Sequence, residues 1–141
     1  MRHGRRWTVI LPVCVFLAVT GCRDVATEEE LGYEPGTVEE IEGSELARVT
    51  LTEDAARRIQ LDTSEVAAPG PRMSVPDSAI WVDVNGDEWV YTSPEPLVFV
   101  RAPVVVARYQ DGVAYLSDGP PPGTEIATVG VAELIGVEFG I

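Results

Sequence analysis

Two segments near the middle of the chain have apolar and polar positions arranged with a period of two. In residues 46–51 (LARVTL), Ala47, Val49 and Leu51 share one face, opposite Leu46, Arg48 and Thr50. Residues 60–66 (QLDTSEV) also have strand character and place Leu61, Thr63 and Glu65 on one face. This period is typical of strands that bury one face, so both segments are predicted to be β-strands.

A short helix is predicted between these two strands. Thr52 has the side chain of a good N-cap, and the acids Glu53 and Asp54 suit the positive end of a helix dipole. Residues 53–59 (EDAARRI) provide about two helical turns. The segment AAPGPRM, residues 67–73, interrupts regular structure because it combines glycine with two prolines.

Two hairpins are predicted in the next fifty residues. Asn85-Gly86 lies between two β-rich runs and predicts a type I′ turn, which needs positive φ at both central positions. Trp81 and Trp89 flank that turn, so they are candidates for cross-strand or same-face packing. A second turn is predicted around residues 111–112 (Asp-Gly), and Pro103 is expected at a sheet edge or a bulge.

The strands recur every 8–12 residues as far as the segment EIATV, and one short helix is inserted early. Residues 131–141 (VAELIGVEFGI) close the chain with little polarity. The pattern therefore predicts a mainly β domain over residues 45–141, a small antiparallel β-barrel or sandwich with one short helix.

The first 21 residues are predicted to be a lipoprotein signal peptide. A positive region with three arginines precedes a 13-residue apolar run, residues 7–19, which is too short for an ordinary transmembrane helix. The run ends in VTGC, which resembles the bacterial lipobox and implies lipidation of Cys22 after cleavage between Gly21 and Cys22. The alternative is an ordinary signal peptide, or an N-terminal anchor helix, with a chance cysteine.

An acidic tether, residues 22–44, is predicted between the anchor and the domain. It holds eight acids and one base, has little apolar content, and its like charges should keep it extended. A calcium-binding tail is the rival interpretation, but the acids show no ligand spacing. The predicted location is the extracytoplasmic (periplasmic) face of the cell membrane, where the lipid holds the protein.

Charge and residue types exclude several classes of function. The net charge is −13 with no lysine, which argues against nucleic acid and against attraction to anionic lipid. Removing residues 1–21 takes away three arginines, one histidine and Cys14, which would leave a net charge of −16 and no histidine. We therefore expect no disulfide, no zinc or copper site, no cofactor and no enzymatic activity.

Two remaining patterns have weak functional interpretations. Residues 83–87 (DVNGD) begin like a calcium loop, but glutamate follows where glycine is expected, and a hairpin turn explains the same residues. Arg101 and Arg108, the last two bases, are weak candidates for partner binding, although outward-facing strand residues beside acids are the simpler interpretation. The aromatic residues Trp81, Trp89, Tyr91 and Phe99 could form a ligand-binding face or part of the core.

Residues 49–66 (VTLTEDAARRIQLDTSEV) resemble the strand–helical turn–strand unit that opens the membrane-proximal domain of periplasmic adaptor subunits, the membrane fusion proteins of RND-type efflux pumps. Residues from 75 to 134 resemble the C-terminal part of the same proteins, and the whole likeness runs from Leu46 to Leu134. The matching positions of the second part are Val75, Pro76, Ala79, Val90, Tyr91, Phe99, Arg101, Val104, Gly119, Gly123 and Ile126.

The chain departs from that family between the two parts. About ten residues, 67–76, stand where full adaptors carry a β-barrel, a lipoyl domain and a helical hairpin. The resemblance therefore implies a membrane-proximal module that contacts an RND or an ABC transporter but does not bridge two membranes. A stand-alone lipoprotein that binds a ligand or an envelope polymer, and a purely structural lipoprotein, are the alternatives.

Overall fold

The structure is a computed structural model that describes residues 33–68, 70 and 72–141. Cys22, the predicted cleavage site and the apolar run lie outside the described residues. The described part contains nine strands, two α-helices and a 3-10 turn. Their bounds are β1 Gly36–Glu40, β2 Ala47–Leu51, α1 Glu53–Arg58, β3 Asp62–Glu65, β4 Met73–Pro76, the 3-10 turn Asp77–Ala79, β5 Trp81–Val82, β6 Glu88–Glu95, β7 Val98–Gln110, β8 Val113–Asp118, β9 Glu125–Val129 and α2 Val131–Phe139.

The strands pair only in antiparallel fashion, as predicted. The longest series of paired strands has the order β1-β2-β7-β6-β9-β3. Outside this series, β8 pairs with β7, and β4 pairs with β8. The 13-residue strand β7 therefore serves both groups: its first half pairs with β2 and β6, and its second half pairs with β8. Pro103 lies between those two sets of partners and pairs only with Trp89 of β6, so it occupies a local edge.

The mainly β class is confirmed, but the sheet does not close into a barrel. Strands β6 and β9 are buried on both faces, since the neighbours Val90 and Tyr91 are both fully buried, as are Ile126 and Ala127. Val90 and Ile126 belong to the core that contains residues of β4 and β8. Tyr91 and Ala127 belong to the core beneath the helices. A closed barrel of this size has one interior, so a layered arrangement replaces it.

Helix α1 begins and ends where its sequence predicts. The Oγ1 atom of Thr52 accepts a hydrogen bond from the N–H of Ala55 at 3.1 Å, which caps the first turn. At the other end, Gln60 adopts a left-handed φ of 54°, and the N–H of Leu61 donates to the carbonyl of Ala56 at 2.9 Å. This arrangement is a Schellman motif, which turns the chain directly into β3.

The predicted type I′ turn at residues 85–86 is wrong. Gly86 has a φ of 91°, but Asn85 is not in the left-handed region. Instead Asp83 donates its N–H to the carbonyl of Asp87 at 2.9 Å and closes a three-residue loop. The Asp83 side chain favours this longer loop, because its Oδ1 atom accepts the N–H groups of Asn85 (2.8 Å) and Asp87 (3.0 Å).

Positive φ at two successive residues occurs instead in the hairpin between β7 and β8. Asp111 has a φ of 53° and Gly112 a φ of 78°. The two residues connect Gln110 directly to Val113, which are paired across the hairpin. A two-residue loop of this kind is favoured because its twist matches that of the strands.

The folded unit begins earlier than residue 45, inside the segment predicted to be a tether. Residues 36–40 form β1 and pair with all five residues of β2, in the register Gly36 to Leu51 and Glu40 to Ala47. The carbonyl of Pro35 also accepts the N–H of Thr52 at 2.9 Å. The acids of this segment remain compatible with a strand because β1 lies at the sheet edge with its side chains largely exposed.

Gly36 should be required for the attachment of β1. A Cβ atom at this position would lie 2.4 Å from the carbonyl oxygen of Thr50, a backbone atom that cannot move away alone. We expect Gly36→Ala to release β1 from β2, seen as lost hydrogen-exchange protection in residues 36–40 with the rest of the sheet retained. Gly70→Ala, where nothing lies within 4 Å, is the control. Unchanged protection of β1 in Gly36→Ala would contradict the assignment.

Candidate functional site

The C-terminal helix brings a carboxylate onto the sheet beside a tyrosine and an arginine. The hydroxyl of Tyr91 donates to Oε2 of Glu138 at 2.5 Å. The Nε atom of Arg101 lies 2.9 Å from the Oε1 atom of the same carboxylate. The Nε–H does not point along that line well enough for a hydrogen bond, so this contact is an ion pair. The Glu138 side chain is only 3% exposed and that of Arg101 14%, so water screens the pair weakly.

Aromatic rings surround this pair on the same side of the sheet. Trp81 stacks against Trp89 (centroids 6.4 Å apart) and against Tyr91 (6.3 Å), and it meets the edge of Phe139 at 6.2 Å. The Arg101 guanidinium lies over the Trp89 ring at 4.8 Å from its centroid. The predicted cross-strand packing of Trp81 and Trp89 is therefore confirmed.

These rings are packed against one another and against Arg101, and they do not line a shared concave pocket. Tyr91 is fully buried, and Phe99 is 1% exposed in the core beneath the helices. The cluster fixes α2 on the sheet through the last turn of the helix. We name residues Tyr91, Arg101 and Glu138 the helix-anchoring triad.

The two arginines named as weak partner-binding candidates have different environments. Arg101 faces the helix-covered side of the sheet, and its Nη2 atom also donates to the carbonyl of Glu45 at 2.9 Å. Arg108 is exposed on β7, where its guanidinium lies 4.0 Å from the centroid of the Tyr115 ring and donates to Gln110. The structure does not bring the two residues into one site.

A second carboxylate, that of Glu88, accepts hydrogen bonds from residues at the bend of β7. The Oε2 atom of Glu88 accepts the N–H of Val106 at 3.0 Å, and its Oε1 atom accepts the hydroxyl of Tyr109 at 2.8 Å. The register of β7 and β8 shifts between residues 105 and 108, so a side chain supplies the acceptor that the bulged ladder lacks. Glu88 therefore has a structural role in shaping the strand.

In the loop of residues 83–87, which was considered for calcium, the first carboxylate is hydrogen-bonded within the loop itself. Desolvation acts to raise the pKa of Asp83, but hydrogen bonds from the N–H groups of Asp87 and Asn85 and from the Trp89 indole lower the pKa below its usual value. Among residues 33–68, 70 and 72–141, no group of three or more histidine, cysteine or acidic side chains could hold a metal ion.

The triad makes the stability of the domain sensitive to alkaline pH. Burial raises the pKa of Tyr91 far above its usual value, and the hydrogen bond to Glu138 raises it further. Burial and the Glu88 carboxylate raise the pKa of Tyr109 to about 12. Both tyrosines thus stay protonated in the folded state at pH values where an unfolded tyrosine ionises.

We expect the free energy of unfolding to be unaffected by these groups below pH 10 and to fall as the pH rises above 10. Tyr91 alone should contribute a slope of about 1.4 kcal/mol per pH unit, because one proton is lost on unfolding. Urea titrations between pH 9 and pH 11.5 measure this slope. Tyr91→Phe should remove about 1.4 kcal/mol per pH unit from the slope and leave the contribution of Tyr109, and the exposed Tyr33→Phe is the control. An equal slope in Tyr91→Phe would contradict this role.

A cleft lies between the two helices. It has a volume of about 530 Å³ and a predominantly apolar lining. Its floor contains Leu51 and Ala55, which are 4% and 2% exposed, and α2 supplies one wall with Ala132, Gly136 and Val137. We name it the interhelix groove.

Two smaller clefts flank Arg101 and have more polar walls. One, of about 350 Å³, extends from β1 to Phe139, and the other, of about 400 Å³, extends to the loop after β5. Both include residues 44–46 and Arg101. Their acids are Glu40, Glu45 and Glu138 in the first and Glu45, Asp83 and Asp87 in the second.

Both oxygens of Glu138 are engaged by other side chains, one by Tyr91 and the other by Arg101. Glu88 is engaged in the same way by Val106 and Tyr109. In the part of the chain that the structure describes, no helix is long and apolar enough to cross a membrane.

Helix α2 was not predicted from the sequence, and neither were Glu138 and the interhelix groove. Residues 131–141 were predicted only to close the chain. The available signal was the helical spacing of Val131, Leu134, Ile135 and Glu138, with glycines at residues 130 and 140 as terminators. Gly130 and Gly140 have φ values of 87° and 67°, which bound the helix on both sides.

Compared with known proteins, the sequence matches no protein-family model, and it has no significant match among curated proteins. The functional interpretation below therefore rests on the residues and on the geometry of the fold.

Proposed function

We propose that this protein is a lipid-anchored, non-catalytic accessory module on the extracytoplasmic face of the membrane, where it contacts an RND or ABC transporter of the efflux type. The observation that carries this proposal is the position of β1. Because residues 36–40 belong to the sheet, the linker between Cys22 and the folded unit is much shorter than the predicted tether.

Chain length limits how far the domain can stand from the anchor. Gly36 lies fourteen residues after Cys22 in the chain, a separation of at most about 50 Å when the segment is fully extended. A linker that reached Glu45, twenty-three residues after Cys22, would allow about 80 Å. The shorter linker favours a partner that projects only a short distance from the same membrane, such as the extracytoplasmic part of a transporter.

The resemblance to adaptor subunits supports the choice of partner. Its two parts fall within one folded unit: the strand–turn–strand part forms β2, α1 and β3, and the second part runs from β4 to α2. β3 pairs with β9, and β2 pairs with β7, so both parts contribute to one sheet. This arrangement agrees with a membrane-proximal module whose intervening domains are replaced by the short β3–β4 connection.

Lipidation is the first element of the proposal to test. We expect Cys22→Ala to abolish labelling by an alkyne-bearing fatty acid fed to the expressing cells, because the acceptor thiol is gone. Cys14→Ala is the matched control, since that cysteine lies in the predicted signal peptide, and it should be labelled like the wild type. Equal labelling of both variants would show that Cys22 is not the lipidated residue.

The transporter partner is tested by crosslinking in cells. A photo-crosslinking residue replaces Ile141, which is 91% exposed beside the interhelix groove, or Val84, which is fully exposed at a hairpin tip. Recovery of one polytopic transporter from one position, and its loss in the Cys22→Ala background, is the expected result. Crosslinks to no transporter from either position, with normal lipidation and membrane localisation, would overturn the proposal.

A second candidate function is that of a lipoprotein that binds a ligand without a transporter. The interhelix groove favours it, because a volume of about 530 Å³ lies within the usual range for small-molecule sites. The aromatic cluster does not favour it, since its rings are packed against one another. The two functions are compatible if the bound molecule is delivered to a transporter.

A further inference from the structure

The interhelix groove is open to the surface and mainly apolar. Small residues form its walls and floor: Ala55 on α1, and Ala132 and Gly136 one turn apart on α2. Leu51 closes the bottom, and Ile59 and Val137 supply apolar surface along the sides. These side chains leave an open trough on the surface of the domain, with room for a chain of methylene groups.

The rim of the groove carries one positive charge in a fixed place. The guanidinium of Arg58 lies over the ring of Tyr33, 4.3 Å from its centroid, and both residues line the groove. This stacking holds the planar group while leaving N–H donors free at its edge. Among the described residues, no carboxylate forms an ion pair with Arg58, whereas its neighbour Arg57 is paired with Asp54.

The lining of the groove also includes the acid Glu133 on α2. A bound molecule with a carboxylate at one end therefore has a preferred direction, with its head group at Arg58 and away from Glu133. An arginine presents paired N–H donors that match the two oxygens of a carboxylate. The apolar trough and the single stacked arginine together select for an acyl chain with an acidic head group.

We propose that the interhelix groove binds a free long-chain fatty acid, with the acyl chain in the trough and the carboxylate on Arg58. This inference is independent of the transporter proposal, because it depends only on residues 33–68 and 131–141. The competing occupants are the acyl chains attached to Cys22 and the chains of membrane phospholipid, and the test separates them from a free fatty acid.

The test uses the full-length protein in isolated membranes that lack ATP and coenzyme A, so that the probe cannot be esterified. The probe is palmitic acid with a photoreactive diazirine in the chain and a terminal alkyne, and mass spectrometry of the digested protein maps its position. We expect labelled peptides from residues 33–59 and 131–141. Unlabelled palmitate should compete, and hexadecyltrimethylammonium at the same concentration should not.

Four variants form two matched pairs. Ala132→Leu fills the groove from an exposed helical position and should lower labelling about tenfold, whereas Ala68→Leu, exposed outside it, should change labelling less than about twofold. Arg58→Gln should lower labelling about fivefold through loss of a charge-assisted hydrogen bond. Arg57→Gln, next to it on the same helix, should have little effect.

Three results would overturn the inference. The first is equal labelling of Ala132→Leu and Ala68→Leu, or labelling spread outside the groove. The second is severalfold stronger labelling in Cys22→Ala than in the wild type, which would show that the attached acyl chains occupy the groove. The third is equal labelling by a diazirine-bearing phosphatidylcholine, which would show that the groove does not select for a free carboxylate.

Discussion

Glu138→Ala is expected to lower the free energy of unfolding by about 3 kcal/mol. The substitution removes the carboxylate that pairs with Arg101 at 2.9 Å and accepts the hydroxyl of Tyr91 at 2.5 Å. Both partners would remain where water has little access, because the Arg101 side chain is 14% exposed and Tyr91 is fully buried. An uncompensated charge in such a place costs about 3–5 kcal/mol in other proteins, and the partial exposure of Arg101 places this case at the low end.

Urea unfolding at pH 7 measures the effect, and a double-mutant cycle isolates its cause. Arg101→Met combined with Glu138→Ala removes both charges and should recover part of the loss, because an apolar methionine side chain on β7 needs no counter-ion, and Arg101→Met alone completes the cycle. Glu133→Ala, an exposed acid on the same helix, should change stability by less than about 0.5 kcal/mol. Equal effects of Glu138→Ala and Glu133→Ala would show that the triad does not stabilise the fold.

Gly130→Ala is expected to lower the free energy of unfolding by about 1–2 kcal/mol, mostly through backbone strain and in smaller part through displacement of the end of the Ile59 side chain. The residue has a φ of 87°, which side chains with a Cβ atom rarely adopt. A Cβ atom there would also lie 2.8 Å from Cδ1 of Ile59, at the end of α1. Urea unfolding of the variant and the wild type measures the combined cost.

Gly123→Ala separates these two causes. Gly123 has nearly the same φ, 85°, but nothing lies within 4 Å of the added Cβ atom. Its cost should be about 1 kcal/mol, from the backbone conformation alone. The difference between the two variants measures the contact of residue 130 with Ile59, and truncation to Ile59→Val should reduce that difference. Identical costs for the two glycine variants would leave no role for the contact.

The features that could be predicted from the sequence are those with local causes. The alternation in β2, the capping side chain of Thr52 and the facing tryptophans Trp81 and Trp89 each depend on residues close in the chain, and the structure confirms them. The turn at Asp83 was also a local feature. It was predicted wrongly because the side chain of Asp83 competes for the N–H groups of the loop.

The features that could not be predicted depend on contacts between distant residues. Helix α2 contains Gly136 and several β-branched residues, which have low helix propensity, and it is stabilised by packing of Val131 and Leu134 on the sheet. Glu138 then meets Arg101 across thirty-seven residues of sequence, so no spacing rule identifies the triad. The segment around residues 36–40 was predicted to be a tether because it is rich in acids. It forms a strand only through its pairing with β2, which the local sequence does not indicate.

The edge position of β1 has a mechanical consequence for an anchored protein. If Cys22 is anchored as proposed, a pulling force between the anchor and the domain enters the fold at the start of β1, where the carbonyl of Pro35 accepts the N–H of Thr52 and Gly36 is paired with Leu51. A force along the strand loads its five residue pairs together, whereas a force away from the sheet breaks them one after another. Detachment of β1 would lengthen the linker by about 30 Å, the span of residues 36–45, while leaving the remainder of the sheet paired. In the proposed lipid-anchored protein, the strand would therefore act as an extensible element that yields under sideways load and resists load along its axis.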